Sequence, residues 1–386
     1  MAEAASHRIR IGMVGGGEGA FIGAVHRIAA RLDDEFELVA GALASEPERA
    51  KRSAAAIGLG PDRSYGSYEE MAKLEAARPD GIEAVVIVTP NHMHYPVARA
   101  FLEAGIHVIC DKPMTSTLAD ARSLAALVRK SGKLFVLTHN YTAYPMVRQA
   151  RRMVVAGEIG KIRVVQVEYP QAWLATKLED SGQKQAAWRT DPARSGAGGC
   201  VGDIGTHAFN LASFVTGLDV ESLSADVSTF VEGRAVDDNI HVLLRFAGGA
   251  KGMLWASQVA AGHENDLRLR VYGETGALSF AQEEPNRLWV SKLDEPKRLV
   301  TRGGAGFDPE AARLTRVPAG HPEGYLEGFA NLYGEAALAI RAARKGDSPA
   351  VETALPSAED GVKGMEFIDA VLRSSSQNGA WVTLAE

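Results

Sequence analysis

From Arg8 to about Asn140 the chain alternates short β-branched runs with longer segments in which apolar residues recur at helical spacing. Ile9–Val14, Phe36–Leu43, Ala84–Val88 and Val108–Cys110, with Leu134–Leu137 as a fifth, are almost continuously apolar, the pattern of strands covered on both faces. Between them, Val25–Leu32 and Leu118–Ser131 read as amphipathic helices. Regular alternation of strand and helix predicts a doubly wound parallel sheet, an α/β domain over residues 1–140.

Past Tyr141 the period changes. A helical segment runs to Ala156, Gly157–Lys161 reads as a turn, and Ile162–Tyr169 alternates as a strand. Further strands are expected at Leu223–Val231, Asn239–Phe246, Lys251–Gln258, Asp266–Tyr272 and Gly276–Phe280, some joined by glycine turns such as Ala247–Ala250 and Gly273–Gly276. Such short connections join antiparallel neighbours, so residues 141–386 are expected to form an α+β domain around a large, mainly antiparallel open sheet. Helices at Thr206–Thr216, Gly324–Lys345 and Ala358–Ser374 are expected to cover one face and leave the other for solvent or a partner subunit.

The 386 residues, 46% hydrophobic and 23% charged, suit two or three globular domains and exclude disorder and coiled coil. With 42 basic and 48 acidic residues the net charge is −6, and no stretch gathers a phosphate-tracking stripe, so nucleic acid is not expected as a partner. No window reaches the roughly 18 apolar residues of a membrane span. Met1–Arg10 has neither the apolar core nor the cleavage-like end of an export signal. Only Cys110 and Cys200 are present, which excludes a disulfide framework and a four-cysteine zinc site. A reducing, cytoplasmic setting fits these features.

Directly after the first strand comes Gly15-Gly16-Gly17-Glu18-Gly19-Ala20-Phe21-Ile22-Gly23, then a helix. In a dinucleotide fold the first glycine permits the tight turn, the second admits the pyrophosphate, and the third lets the helix pack on the strand. Gly15 and Gly17 take the first two roles. Strict spacing puts the third on Ala20, whereas a longer loop puts it on Gly23. The end of the second strand, Gly41-Ala42-Leu43-Ala44-Ser45, lacks the acid that usually holds an NAD ribose. Ser45 with Arg49 or Arg52 would instead accept a 2′-phosphate, which favours NADP over NAD; the alternative is that both arginines are ordinary solvated helix residues.

Ligands of such sheets bind beyond the carboxyl ends of the strands. There stand Thr89-Pro90-Asn91-His92-Met93-His94 and Asp111-Lys112-Pro113. Thr89, Pro90, Asn91, His94 and Asp111 are read as dinucleotide contacts. His92 and His94 lack further ligands nearby, so no metal is expected. Lys112 is either a solvated lysine or one that reaches a substrate oxygen. In the second half, Trp188-Arg189-Thr190-Asp191, a small-residue loop Ser195–Gly199, and Gly202-Asp203-Ile204-Gly205-Thr206-His207 form the densest polar cluster. On a helix the four-residue spacing stacks Asp203 and His207 on one face. A carboxylate beside an imidazole suits proton transfer to and from an alcohol, and equally a helix cap or a metal pair.

Together the glycine turn, Thr89-Pro90-Asn91-His92, Asp111-Lys112-Pro113 and the run Gly202 to His207 resemble the Gfo/Idh/MocA oxidoreductases over most of the chain. Tyr169-Pro170-Gln171-Ala172-Trp173, the run Trp188 to His207, Asp237-Asp238, and Arg245-Phe246-Ala247 with Gly249 resemble its levoglucosan dehydrogenase branch in order and spacing. The resemblance implies an N-terminal Rossmann domain, a C-terminal sheet that mediates assembly into a dimer or tetramer, and NAD(P)-dependent oxidation of a secondary alcohol on a sugar or cyclitol. It assigns Lys112 to the lysine of the family's Glu-Lys-Pro motif, with Asp111 in place of the glutamate, and Asp203 and His207 to the paired catalytic acid and histidine.

On this reading His207 removes the hydroxyl proton, the Lys112 ammonium stabilises charge on the oxygen, and Asp203 orients the imidazole or the lysine. Tyr141, Gln171, Trp173, Trp188 and Arg189 line a polyol pocket or serve as framework, and Asn140 is assigned to the cofactor. Two rivals remain open. Some relatives are glycosidases that oxidise the sugar transiently on a bound NAD, and a non-catalytic dinucleotide-binding regulator would need none of Lys112, Asp203 and His207.

Overall fold

The computed structural model of the chain describes residues 8–351 and 353–384, so most of Met1–Arg10, on which the reading of the N-terminus rests, lies outside the described residues. Contacts divide the chain into two units. The first comprises the N-terminal part to Thr115, residues 119–138 and Phe329–Val362; the second comprises 116–118, His139–Gly328 and the stretch from Lys363 onward.

Among the described residues of the first unit, β1 (Ile9–Gly15), β2 (Phe36–Ala42), β3 (Ala84–Val88), β4 (His107–Cys110) and β5 (Phe135–Leu137) form a parallel sheet in the order β2-β1-β3-β4-β5. β3 is buried at every position, as its unbroken apolar run requires. The chain runs from β1 outward to β2 and then crosses to β3 on the other side, so the order reverses between β1 and β3. Register sets Gly15 beside Val88 and Ile87 beside Cys110, which brings the loops after β1, β3 and β4 to one edge.

Most of the helix Tyr325–Lys345, expected on the second sheet, belongs to the first unit instead. Tyr333 is buried edge-on to Phe36, with centroids 5.3 Å apart, and its hydroxyl lies 2.8 Å from His26 Nδ1. Arg341 pairs with Glu35 and Arg344 with Glu83. An amphipathic stripe records that a helix is covered, but not by which sheet.

In the second unit, among the described residues, β6 (Ile162–Pro170), β7 (Val220–Ser228), β8 (Asn239–Phe246), β9 (Lys251–Ser257), β10 (Arg268–Gly273), β11 (Gly276–Ala281), β12 (Arg287–Lys292), β13 (Arg298–Thr301) and β14 (Val382–Thr383) form one sheet. Its order is β13-β12-β11-β10-β6-β9-β8-β7-β14, antiparallel throughout apart from the parallel pair β6–β9. β7 stops at Ser228 rather than Val231 because the Asp238 carboxylate accepts from Phe230 N at 2.9 Å and Val231 N at 3.0 Å, taking both out of the ladder. β12, β13 and β14 are not among the expected strands; β13 and β14 have only 4 and 2 residues, whereas β12 matches β10 and β11 in length.

The helix Thr206–Thr216 packs on the face formed by Val165, Val167, Leu254 and Val271, all buried. The opposite face carries Leu243 paired with Met253, Val164 with Tyr272, and Trp289 with Leu299, all exposed. No helix among the described residues is long and apolar enough to cross a membrane.

Candidate active site

β1 ends in Gly15 at φ +79°, where a Cβ would stand 2.7 Å from Val88 O. The loop then passes under the end of β2, Gly17 N donating to Leu43 O at 3.1 Å and Glu18 N to Ser53 Oγ at 3.2 Å, while Arg27 donates to Gly16 O at 2.8 Å. A Cβ on Gly23 would lie 2.4 Å from Gly16 Cα. Gly23, not Ala20, is therefore the residue at which the helix Phe21–Leu32 packs closely on the turn.

At the neighbouring strand ends Thr89 Oγ1 is buried with no hydrogen-bond partner among the described residues. An orphaned hydroxyl just beyond β3, beside a glycine cradle at the point where strand order reverses, fits a bound dinucleotide. Asn91 is buried in the same loop. The His94 ring lies between the loops after β3 and β4, Nδ1 2.8 Å from Pro113 O and Nε2 2.9 Å from Thr89 O, and its single N–H donates to one of these carbonyls. Burial holds its pKa below the usual histidine range. Asp111 also works within the loops, its Oδ1 accepting from Lys112 N and from Thr138 Oγ1, each at 3.0 Å. Lys112, directly after it, is half-buried. No group of three or more His, Cys, Asp or Glu among the described residues is placed to hold a metal ion.

The 2′-phosphate reading gains no support at the end of β2. Ser45 is exposed, Arg49 donates to Glu18 O at 3.0 Å, and Arg52 lies 3.9 Å from the Glu46 carboxylate. Glu46 in turn caps the helix Pro47–Ala56 by accepting from Glu48 N and Arg49 N.

The second unit assembles the polar cluster of the sequence. Asp203 lies in a single π-helical turn, Val201–Gly205, that runs into the helix Thr206–Thr216 bearing His207. The turn is wider than the expected α-helix, a feature frequent at functional sites, and it still leaves positions 203 and 207 about one turn apart. Asp203 Oδ2 accepts from Gln258 Nε2 at 2.8 Å and faces Arg189 Nε at 3.4 Å. The Arg189 guanidinium lies 4.3 Å from the Trp188 ring centroid and 5.9 Å from that of Trp173, so two indoles flank the cation that faces the carboxylate.

The buried His207 ring meets Tyr141 at 4.8 Å, His139 at 5.3 Å and Tyr169 at 6.2 Å between centroids, each edge-on. Behind it runs a polar chain. The Tyr141 and Tyr169 hydroxyls are 2.7 Å apart, Tyr169 donates to Asn265 Oδ1 at 2.8 Å, and Gln171 donates to the same oxygen at 2.6 Å. Asn265 Nδ2 donates to Gln282 Oε1 at 3.1 Å. Burial pushes both tyrosine pKa values up, which keeps the hydroxyls protonated. Asn140 is buried, and its Nδ2 has no hydrogen-bond partner among the described residues.

Within each unit, then, the expected residues cluster: the glycine turn, Thr89, Asn91 and Lys112 in the first; Asp203, His207, Tyr141, Gln171, Trp173, Trp188 and Arg189 in the second. Gln258, Asn265 and Tyr169's hydroxyl contact are additions. Gln258 and Asn265 flank strands as isolated amides, and no local pattern marks an amide whose partner stands tens of residues away.

Residues 9–139 match the family described as "Oxidoreductase family, NAD-binding Rossmann fold", and residues 147–279 match the "GFO/IDH/MocA C-terminal domain". An oxidoreductase from Sinorhizobium meliloti of known structure is 57% identical, with 98% of this chain and 100% of that one covered and a TM-score of 0.89. An inositol dehydrogenase homolog from Azotobacter vinelandii, in complex with NADH and myo-inositol, is 34% identical over 98% of each chain, with a TM-score of 0.92. Levoglucosan dehydrogenase of Pseudarthrobacter phenanthrenivorans is 26% identical over 98% of each chain.

Proposed function

The chain belongs to the Gfo/Idh/MocA family of oxidoreductases with an NAD-binding Rossmann domain, and on that premise we propose that it oxidises a secondary alcohol of a sugar, sugar derivative or cyclitol. A bound nicotinamide cofactor supplies the hydride acceptor, or the donor in reverse. Lys112, Asp203 and His207 are assigned to the proton and the oxygen. His207 takes the hydroxyl proton, and the Lys112 ammonium stabilises the negative charge that develops on the oxygen. Asp203, fixed by Gln258 and Arg189, supplies a constant orientation to the pair.

The observation that carries this reading is the oriented Asp203 carboxylate one turn ahead of a histidine buried among protonated tyrosines. A purely structural cap needs neither the amide nor the indole-clamped arginine. Tyr141, Gln171, Trp173, Trp188 and Arg189 are the proposed substrate contacts. Thr89, Pro90, Asn91 and Asn140 are the proposed cofactor contacts, with Gly15, Gly17 and Gly23 shaping the turn.

NAD is the proposed cofactor. The Glu46 carboxylate beside Arg52 and Arg49 would repel a 2′-phosphate, and the similar Azotobacter protein is in complex with NADH. The exposed apolar strip Leu243–Met253, Val164–Tyr272, Trp289–Leu299 supports assembly of copies through the open sheet.

The test is a panel of sugars and inositols assayed with NAD and with NADP, repeated on Lys112→Met. Turnover with NAD that falls at least about 100-fold in Lys112→Met, with NAD still bound, supports the assignment. Wild-type turnover by that variant refutes the role of Lys112, and preference for NADP refutes the cofactor.

A further inference from the structure

We propose that Asp237 is a positioning residue for the proton-transfer pair, its carboxylate holding the start of the turn that carries Asp203 and His207. Asp237 precedes β8 and has no part in the chemistry assigned above. Its Oδ1 accepts from Gly199 N at 2.6 Å, its Oδ2 accepts from Val201 N at 2.8 Å, and its own carbonyl accepts from Cys200 N at 2.9 Å. One residue thus gathers three successive N–H groups at a helix start, where intrahelical partners do not exist.

The approach is close enough to dictate sequence. A Cβ on Gly199 would stand 2.4 Å from Asp237 O and 2.5 Å from Val236 Cγ2. From there the position passes along the chain: Asp203 N donates to Gly199 O at 2.9 Å, and His207 follows one turn later. Displacing Gly199 and Val201 therefore displaces the carboxylate and the imidazole together.

The clamp has the character of an ionised group. Bonds from backbone N–H to a carboxylate are roughly twice as strong as those between neutral partners. Around Asp237 stand Asp238 and the Cys200 thiol, with Asp203 further along the turn. Arg234 pairs with Asp238 and Glu179, so the neighbouring cation serves other carboxylates. Burial raises the Asp237 pKa to about 6 although the N–H groups of Val201, Gly199 and Asp237 itself oppose the rise. Mild acid is thus enough to neutralise the clamp.

The inference rests on the reading of Asp203 and His207 as the proton-transfer pair, and the experiment separates the two. Full-length Asp237→Asn, Asp237→Glu and His207→Ala are compared for kcat, KM, NAD dissociation constant and amide hydrogen exchange at Gly199 and Val201. Expected are faster exchange at both amides in Asp237→Asn, a kcat lower by about 100-fold with NAD binding unchanged, and partial recovery in Asp237→Glu. Loss of turnover in His207→Ala with wild-type kcat in Asp237→Asn overturns the positioning role alone. Wild-type turnover in His207→Ala overturns the catalytic reading and the positioning role with it. Should Asp237→Asn not fold, exchange in the wild-type protein decides, after correction for intrinsic rates. Protection of the Gly199 and Val201 amides well above the unprotected rate at about pH 7.5 supports the clamp, and exchange at the intrinsic rate overturns it.

Discussion

The Gln258 side-chain amide donates to Asp203 Oδ2 at 2.8 Å, from the first residue after β9 to the middle of the π-helical turn. A strand end thereby contributes to the orientation of the carboxylate. Arg189 faces the same oxygen, so the direction of the carboxylate is set by a neutral donor and a cation together.

Removing the amide leaves the cation in place and tests orientation rather than charge. Gln258→Leu is expected to lower kcat by about 10- to 100-fold with little change in NAD affinity, read by steady-state kinetics. Unchanged kcat would show that the Gln258 amide does not orient Asp203 for turnover.

Acid should weaken the first unit through its buried histidines. Burial lowers His26 from 6.5 to about 4, and desolvation likewise lowers His107 to about 4 and His94 below its usual value. In the unfolded chain each binds a proton near pH 6.5, whereas in the folded protein it stays neutral. The stability is therefore complete above pH 6.5 and is lost as pH falls toward about 4, by about 3 kcal/mol for His26 alone. Thermal unfolding followed across this window should show a falling midpoint, with a shallower slope in His26→Leu. An equal slope in that variant would remove His26 from the account.

Gly23 is the contact of the first helix with the glycine turn. Gly23→Ala places a methyl 2.4 Å from Gly16 Cα and must push turn and helix apart. NAD affinity measured by calorimetry should drop about tenfold or more, a change of about 1.4 kcal/mol or more. Retained affinity would place the dinucleotide away from this turn.

If copies assemble on the open sheet, a charge within its apolar strip should separate them. Leu243 is 53% exposed and faces Met253 across β8 and β9. Leu243→Glu is expected to give monomers in sedimentation velocity at concentrations where the wild type sediments as an oligomer. An unchanged mass would exclude this face.

Periodicity and glycine placement made the first unit readable strand by strand: Ala84–Val88 and Leu118–Ser131 stand in the structure with the bounds their sequence implies. The end of β7 was not readable, because it is decided by a carboxylate ten residues later in the chain. The helix Tyr325–Lys345 showed its stripe but not its destination.

The same division runs through the site. Local order alone determined a strand, a glycine turn and a helix in dinucleotide sequence, and an acid and a histidine four positions apart, because turn chemistry and helical period act over a few residues. Only the tertiary structure decided that Gly23 closes the turn, that the His94 ring sits between two loops, that Gln258 meets Asp203, and that Asp237 gathers the amides ahead of it. Those roles depend on hydrogen bonds a few ångströms long between residues distant in the chain. Such a bond leaves no periodic trace in the sequence, since what it requires is a meeting in space and not a spacing.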